Sequence, residues 1–274
     1  MEPVQYRPFL KWAGGKYRLL KPIRALLPRG SLLIEPFAGA GSVFLNTDYD
    51  HYWLNDINPH LIALYQSVKD EGPKFVHYAK RYFTQKYNDE DAYYTLRDQF
   101  NSTRHPRLRS ALFLYLNRHG YNGLCRFNQQ GKYNVPFGHY VKPYFPEREL
   151  QHFFQKAQQA TFFQKDYREL FERAPENAVI YCDPPYAPSS SGPSFTNYSG
   201  QGFNWSEQEH LAKLARAAAK RGIPVLLSNH DTPEVRALYK GAKMRSIAIK
   251  RPINTQIHRR NEPVLELLAF FAPK

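Results

Sequence analysis

The sequence of 274 residues contains only two cysteines, Cys125 and Cys182, and neither has a His or Cys nearby at the spacing of metal ligands. A disulfide framework and a zinc site are therefore not expected, and a reducing cytoplasm is the expected compartment. No apolar stretch approaches the roughly 18 residues that a membrane helix needs, and no hydrophobic signal region is present near the N-terminus. These shortages argue against a secreted disulfide-rich scaffold and against a helical membrane protein.

Acidic residues are the other shortage: 24 Asp and Glu stand against 38 Lys and Arg, a formal net charge of +14. Two windows hold most of this excess. Residues 97–150 contain nine basic and three acidic residues, and residues 241–261 contain six basic residues and no acid. Clustered positive charge suits a polyanion-binding surface, because each neutralised phosphate releases counterions. Charge alone leaves two interpretations open, polyanion binding and simple solubility.

Hydrophobic residues make up 42% of the chain and charged residues 23%, the composition of a globular protein. Short apolar runs alternate with amphipathic stretches, which predicts an α/β fold with a mostly parallel sheet and helices on both faces. The expected strands are 31–34, 51–54, 178–182, 224–227, 244–249 and 264–271. The expected helices in this part of the chain are a stretch from Ser42, 207–221 and 233–239.

Residues 57–154 interrupt this alternation. The segments with helical patterns are 58–70, 73–83, 89–103 and 106–117, and an irregular stretch rich in Gly, Asn and Pro follows at 117–146. We therefore predict an α/β domain formed by residues 1–56 and 155–274, with a mainly helical domain, carrying a loop or hairpin, inserted at 57–154. Residues 187–202 and 251–263 lack periodicity and are expected to be mobile loops.

The first expected strand leads into the segment 35–41, EPFAGAG. Its glycines allow a ligand to approach the backbone, but the third glycine of a dinucleotide fingerprint is replaced by Phe44. The second strand ends at Asp56, where an acid can accept hydrogen bonds from ribose hydroxyls. The pattern indicates a nucleoside-bearing cofactor without the pyrophosphate of NAD. A tight turn with a surface Asp is the alternative.

The segment 11–16, KWAGGK, is not a phosphate-binding loop of the ATPase type. That loop needs four residues between its glycines and a Ser or Thr after its lysine, whereas the glycines here are adjacent and Tyr17 follows Lys16. An ATPase is therefore not expected. Two lysines and a Trp around a glycine pair could hold an anionic or carboxylate group, or could form only the entry to a helix.

The tetrapeptide DPPY at 183–186 follows the strand expected at 178–182. Its carboxylate would lie at the carboxyl end of a parallel sheet, where α/β proteins bind ligands. The two prolines fix an extended turn and donate no hydrogen bond, which leaves carbonyl oxygens as acceptors. Asp183 and the Pro184 carbonyl could accept hydrogen bonds from an exocyclic NH2 while Tyr186 stacks on the ring. The tetrapeptide therefore suits a planar amine.

These motifs resemble those of the Dam-type DNA adenine-N6 methyltransferases, bacterial and phage enzymes that depend on S-adenosylmethionine. The resemblance runs from Phe9 to about Phe270 and also includes residues 116–126 (LNRHGYNGLCR), 134–138 (NVPFG) and 228–231 (SNHD). DPPY is shared with other amino-methyltransferases and indicates the chemistry, whereas its combination with residues 121–126 is far more specific. The resemblance implies a Rossmann-like class I methyltransferase fold with an inserted target-recognition domain for the sequence GATC.

The resemblance also implies roles for individual residues. The cofactor site would be lined by Trp12, Lys16, Phe37, Gly39, Gly41, Asp56 and Asp183, with the cofactor's adenine framed by Ile57, Asp166 and Tyr167. The target adenine, flipped out of the duplex, would be held by Asp183, Pro184, Pro185 and Tyr186. Its N6 lone pair would attack the sulfonium methyl in line, without a metal or a covalent enzyme intermediate. Positioning and electrostatics would carry the rate.

A third set of residues would contact duplex DNA. Tyr121 and Asn122 resemble residues that wedge into the duplex and pair with the orphaned base. The residues that resemble base readers are Lys11, Leu124, Arg126, Pro136 and Tyr140, and those that resemble phosphate contacts are Arg97, Arg118, Asn128 and Asn134. Close members carry basic residues where this chain has His139 and Val141, so phosphate contacts are not carried over there. No motif assigns the residues of the 241–261 cluster.

Two other functions stay open from the sequence alone. The same chemistry could methylate RNA or a protein amide, and the chain could be a catalytically silent DNA-binding protein. The basic inserted segment favours double-stranded DNA as the partner, without a membrane, and mere binding needs neither the cofactor residues nor DPPY. One catalytic unit suffices for the reaction, so we expect a monomer with no obligate protein partner.

Overall fold

Seven strands form a single sheet in the computed structural model, which describes residues 4–186, 203–250 and 263–273. Their bounds are β1 (Leu32–Glu35), β2 (His51–Asn55), β3 (Ala160–Phe163), β4 (Ala178–Cys182), β5 (Val225–His230), β6 (Lys243–Lys250) and β7 (Pro263–Phe271). The strand order is β3-β2-β1-β4-β5-β7-β6. The first five strands are parallel, whereas β7 runs antiparallel to both β5 and β6. The predicted α/β fold with a mostly parallel sheet is confirmed.

Helices cover both faces of this sheet. Within the described ranges they are α1 (Leu20–Leu26), α2 (Pro59–Glu71), α3 (Pro73–Lys80), α4 (Glu90–Ser102), α5 (Pro106–His119), α6 (Glu147–Ala157), α7 (Tyr167–Arg173), α8 (Trp205–Lys220) and α9 (Pro233–Leu238), with 3-10 turns at Lys16–Leu19, Phe44–Asn46, Gln85–Tyr87 and Tyr121–Gly123. Leu33 packs into the core cluster formed with α2, α5 and α6, and Ile34 packs into the cluster formed with α7 and α8. A strand that is buried on both faces is typically a run of apolar residues, and β1 has such a run at 32–34 before it ends at the buried Glu35.

Polar residues at the carboxyl edge of the sheet set where two helices begin. Asn58 accepts hydrogen bonds from the main-chain N–H groups of His60 and Leu61 at the start of α2. Asp166 accepts one from Arg168 N at the start of α7. Such side chains replace the partners that the first N–H groups of a helix lack. Because α2 follows β2 and α7 follows β3, both helix starts lie beside the carboxyl ends of their strands.

The prediction of a helical stretch from Ser42 is wrong. The chain forms only the 3-10 turn Phe44–Asn46 before it enters β2. The Asn46 side chain donates to the Ser42 carbonyl, and the Thr47 hydroxyl donates to the Val43 carbonyl. In a longer helix those carbonyls would accept from main-chain N–H groups, so these short polar side chains offer an alternative to helix propagation.

Four elements are absent from the sequence predictions, namely α1, β3, α6 and α7, and the helix predicted at 73–83 ends at Lys80. The strand β3 has four residues at the sheet edge, and only Ala160 is buried, so it lacks a clear apolar run. The predicted mobile loop at 187–202 lies outside the described residues, and so does the one predicted at 251–263 except for Pro263, which begins β7.

The segment 57–154 is mainly helical, as expected, and contains the predicted hairpin. Isolated bridges pair Phe127 with Tyr133 and Gly120 with Phe137 in antiparallel fashion. Its helices share one buried core with a face of the sheet, because α2 packs against both α5 and β3. The division of the chain into two domains stays a prediction. Within the described ranges, no helix is both long and apolar enough to cross a membrane.

Candidate active site

The DPPY tetrapeptide leaves the sheet at the carboxyl end of β4, between β1 and β5. The two prolines at its centre have no main-chain N–H to donate, but their carbonyl oxygens can accept. The Gln208 side chain of α8 donates to the Pro185 carbonyl at 2.7 Å. Gln208 is fully buried and its Oε1 accepts from Asn229 of β5 at 3.0 Å. Neighbouring elements therefore fix the turn from outside.

Asp183 is the acceptor at the centre of this site. Its Oδ1 lies 2.8 Å from Lys16 Nζ and accepts a hydrogen bond of 2.9 Å from Ser228 Oγ. The Lys16 side chain is 5% exposed and that of Asp183 21% exposed, so the ion pair is largely shielded from water. Burial raises the pKa of Asp183, while the Lys16 ammonium and the Ser228 hydroxyl act in the opposite direction. Lys16 thus favours the carboxylate form of Asp183.

Tyr186 is held by a cross-strand pair. Its hydroxyl donates to Glu266 of β7, and its ring lies edge-on to His230 of β5 with centroids 4.5 Å apart. His230 and Glu266 face each other in the antiparallel register of β5 and β7. Lys16 Nζ lies 4.7 Å from the centroid of the Tyr186 ring. The same lysine therefore contacts both the acid and the aromatic ring of the tetrapeptide.

The residues expected around a nucleoside cofactor meet at the ends of β1 and β2. Asp56 Oδ2 accepts from Gly39 N at 3.1 Å, and Oδ1 accepts from Asn58 N at 2.9 Å. Gly39 has φ +47°, and a Cβ there would approach the Trp12 indole nitrogen to 3.1 Å. Gly41 also has a positive φ, of +71°. The positive φ favours glycine at both positions, and at residue 39 the Trp12 ring also leaves little space for a Cβ.

Aromatic rings lie between these residues and the start of α7. Phe37 lies 5.1 Å from Tyr167 between ring centroids, and Phe203 packs against both rings. Ile57 is exposed beside Asp56, while Asp166 is exposed at the start of α7 and paired with Arg168. The fold thus brings the expected cofactor residues to one edge of the sheet. Within the described residues, no group of three or more His, Cys, Asp or Glu side chains could hold a metal ion.

Glu35, at the end of β1, is a buried carboxyl for which the sequence motif gave no role. Its Oε1 has no hydrogen-bond partner among the described residues, and Phe44 N–H donates to the carboxyl group. Burial raises the pKa of Glu35 well above its usual range, and the nearby Asp183 carboxylate raises it further. The neutral form of Glu35 is therefore favoured up to a higher pH in the folded protein than in the unfolded chain.

We expect Glu35→Gln to become relatively more stable than the parent protein as pH rises. A raised pKa in the folded state means that the unfolded chain loses its proton first, so this group's contribution to stability falls between the unfolded and folded pKa values. Glutamine has no such proton. Denaturant unfolding of both proteins near pH 5 and near pH 8 measures the effect. An identical pH dependence of the two unfolding free energies would contradict a neutral Glu35.

Most of the predicted DNA-contacting residues lie along the end of α5 and the hairpin that follows, whereas Lys11 lies in the N-terminal segment and Arg97 on α4. Tyr121 is 51% exposed on its 3-10 turn, and Asn122 adopts φ +53°, a left-handed conformation that few non-glycine residues adopt. The turn is tied to the hairpin by a hydrogen bond of 2.9 Å from Tyr121 N to the Pro136 carbonyl. The structure thus presents this pair on an exposed and braced turn.

Arg126 and Asn134 face each other across the hairpin. Arg126 donates from Nε to Asn134 Oδ1 at 2.8 Å and from Nη2 to the Asn134 carbonyl at 3.0 Å. These bonds use one side of the guanidinium and leave the Nη1–Nη2 edge in place for a bidentate contact. Asn134, which resembles a phosphate contact, therefore also orients Arg126.

Lys11 lies over the Tyr140 ring, with Nζ 3.8 Å from the centroid, and donates weakly to the Arg118 carbonyl at 3.5 Å. Burial and the neighbouring Arg118 lower the pKa of Lys11 to about 8. Arg118 itself donates to the Tyr144 carbonyl at 3.0 Å. Two base-reader candidates and one phosphate-contact candidate are thus in direct contact.

The remaining candidates of this surface are Arg97, Leu124, Asn128 and Pro136. Arg97 donates to the Val135 carbonyl at 3.4 Å. Asn128 Oδ1 accepts from Gln130 N and Lys132 N within its own turn. Leu124 is half-buried and Pro136 is exposed. His139 and Val141 are both exposed on the same stretch, and His139 has φ +50°. All of these side chains lie on the hairpin or within contact of it.

Ser228, Gln208 and Glu266 contact the DPPY tetrapeptide but were not assigned roles from the sequence. Ser228 had a usable signal, since it belongs to the SNHD segment and lies in the strand next to β4. Glu266 had another, because it is the only acid in the apolar strand β7 and is nevertheless 4% exposed. Gln208 lies on the amphipathic helix α8, where a single glutamine does not stand out in the sequence.

Comparison with known proteins agrees with this geometry. The model of the D12 class N6 adenine-specific DNA methyltransferases matches residues 12–253. Three curated relatives named DNA adenine methylase, from Vibrio cholerae serotype O1, Escherichia coli K12 and Serratia marcescens, are 52%, 50% and 51% identical over 268, 267 and 266 residues. The matches cover 97% of this chain and 96%, 96% and 98% of the relatives. The chain therefore belongs to the D12-class N6 adenine-specific DNA methyltransferases.

Proposed function

We propose that this methyltransferase transfers a methyl group from S-adenosylmethionine to adenine N6 within duplex GATC, after flipping the target adenine out of the helix. The observation that carries the proposal is the short segment 11–16. Its first residue, Lys11, contacts Tyr140 beside the recognition hairpin, and its last, Lys16, pairs with Asp183. One segment thus joins the DNA-facing surface to the acceptor carboxylate. A base that stays stacked inside the duplex cannot reach the Asp183 carboxylate, so the target base must leave the helix by flipping.

The residues at the ends of β1 and β2 fit a nucleoside cofactor. Glycine at residue 39 keeps the backbone clear of Trp12, the Asp56 carboxylate is fixed by two main-chain N–H groups, and Ile57 exposes an apolar surface beside it. An acid at the tip of the second strand is where such folds bind ribose hydroxyls. When bound, the cofactor supplies an electrophilic methyl group on a sulfonium centre.

The tetrapeptide then positions the target amine. Asp183 accepts a hydrogen bond from the N6 amino group together with the Pro184 carbonyl, and Tyr186 stacks on the adenine ring. These contacts keep the N6 lone pair directed at the methyl group. The N6–CH3 bond would form in line as the S–CH3 bond of the sulfonium breaks, its electron pair staying on the sulfur of the departing S-adenosylhomocysteine, and N6 would afterwards release one proton to solvent. Asp183 acts as a fixed acceptor, so the rate comes from orientation and electrostatics.

The test is transfer of labelled methyl from S-adenosylmethionine to a duplex containing GATC, with a scrambled duplex of equal composition as the control. The proposal expects label in N6-methyladenine of the GATC duplex only. Label in RNA or in protein amides would favour those substrates, equal labelling of both duplexes would refute the sequence preference, and DNA binding without label would indicate a silent binding protein. We also propose a monomer acting in a bacterial or phage-infected cytoplasm; sedimentation with and without DNA tests the oligomeric state.

We expect Arg126→Ala to relax sequence choice at one base pair of the site. A bidentate arginine contact with guanine is worth roughly 1–3 kcal/mol of discrimination, about 5- to 150-fold in rate ratio. The measurement is kcat/KM on the preferred duplex and on duplexes changed at each position. Arg97→Ala is the matched control, because loss of a phosphate contact weakens all duplexes alike. A uniform loss for Arg126→Ala as well would contradict base reading.

A further inference from the structure

Asn117, the third residue from the C-terminal end of α5, joins the two chain segments that carry the proposed base-reading and wedge residues. It is 1% exposed. Its Oδ1 accepts from Lys11 N at 2.9 Å, and its Nδ2 donates to the Lys11 carbonyl at 2.7 Å. The same Nδ2 lies 3.3 Å from the Gly123 carbonyl. One buried amide therefore satisfies main-chain groups on both sides of the recognition surface.

The packing of the side chains follows from this arrangement. Gly123 has φ +63°, and a Cβ there would lie 2.3 Å from Lys11 Cβ, so the turn Tyr121–Gly123 rests directly on the Lys11 stem. The other end of Lys11 lies against the Tyr140 ring. Asn117 therefore fixes the main chain of Lys11 relative to Tyr121 and Asn122, and the contact with Gly123 fixes the Lys11 side chain.

We propose that Asn117 is a specificity-positioning residue: it locks Lys11 and the turn Tyr121–Gly123 into one rigid unit, so that base reading and base displacement occur in fixed register. This inference rests on the proposed function. Two protein segments that are held in a fixed relative position discriminate between DNA sequences, because neither segment can shift by itself to accommodate a wrong base. A loosened unit still binds DNA through its phosphate contacts and still carries DPPY, but it tolerates wrong bases.

The experiment measures discrimination, defined as kcat/KM on the duplex that the parent protein prefers divided by kcat/KM on duplexes with one changed base pair. For Asn117→Ala we expect discrimination to fall by about tenfold or more, with a smaller change in kcat on the preferred duplex and in DNA affinity. Asn101→Ala is the matched control. Asn101 of α4 pairs with the main chain of Tyr133 in the same double fashion, at 2.8 and 3.1 Å, without contacting Lys11.

A second variant covers the case in which Asn117→Ala does not fold. Gly123→Ala introduces the Cβ that would meet Lys11, on the short turn Tyr121–Gly123 and outside the helix α5, and is expected to lower discrimination in the same way. In a Lys11→Ala background the effect of Asn117→Ala should shrink, because the base-reading side chain that Asn117 positions is gone, although the main-chain bonds to residue 11 and Gly123 remain available. Unchanged discrimination in either folded variant, an equal loss in Asn101→Ala, or an undiminished effect of Asn117→Ala in the Lys11→Ala background would overturn the inference. Failure of the parent protein to methylate any duplex would instead refute the proposed function.

Discussion

Asp183→Ala should lower adenine methylation by at least about a thousandfold and leave the affinity for duplex DNA within a few-fold of the parent protein. The carboxylate accepts from Ser228 and pairs with Lys16, so its removal takes away the acceptor for the N6 amine and leaves a shielded ammonium without its partner. Most of the proposed DNA-facing residues lie on α5 and the hairpin, and none of them belongs to β4 or to the tetrapeptide. Single-turnover methyl transfer at saturating cofactor and fluorescence anisotropy with labelled duplex measure the two quantities.

Two further variants make this result specific. Asp183→Asn keeps one carbonyl oxygen as an acceptor and loses the charge, so its rate should lie between those of the parent and the alanine variant. Glu169→Ala is the control, because it removes a carboxylate from another lysine pair, Lys165–Glu169 at 2.6 Å, without touching DPPY. Near-parental turnover in Asp183→Ala would refute its role as acceptor. A parallel loss of DNA binding would indicate that Asp183 supports the fold of the recognition surface instead.

The parts of the fold that the sequence predicted are those with strong local patterns. The apolar run of β1 and the turn residues that follow β4 are visible without any tertiary information. The strand β3 was missed because Thr161 is exposed and Phe162 is only half-buried, so neither alternation nor an apolar run marks it. A helix was predicted from Ser42 because no sequence pattern shows that the Asn46 and Thr47 side chains donate to the main-chain carbonyls of that turn.

The sequence predicts which residues form the candidate site, but it does not predict how they contact one another. The resemblance supplied Lys16 and Asp183 as separate cofactor-lining residues, but only the packing of the N-terminal segment against β4 reveals that they form an ion pair. Asn134 is a similar case, since a residue assigned to phosphate also holds the Arg126 guanidinium. Asn117 contacts Lys11 and Gly123 on other elements, and such contacts leave no local motif.

Lys16→Met should shift the acidic limb of the pH–rate profile to higher pH, in addition to lowering the maximum rate. Burial and Glu266 both raise the pKa of Asp183, and the Lys16 ammonium at 2.8 Å is the largest opposing influence. Without it, the Asp183 pKa rises further. Because the proposed chemistry uses the carboxylate, the variant loses activity as pH falls through this raised pKa and regains part of it in alkaline solution. The measurement is single-turnover methyl transfer across pH, with cofactor and duplex saturating at every point.

The direction of the shift separates an electrostatic role of Lys16 from a role in cofactor binding. Loss of a cofactor contact alone raises the KM for S-adenosylmethionine and, once that is saturated, leaves the acidic limb where it was. Ser228→Ala removes a neutral donor to the same carboxylate and should move the limb in the same direction by less. Lys156→Met, which removes a lysine that donates to the Thr47 carbonyl away from DPPY, controls for the change in net charge. An unshifted limb in Lys16→Met, or an equal shift in Lys156→Met, would mean that Lys16 does not govern the ionisation of Asp183.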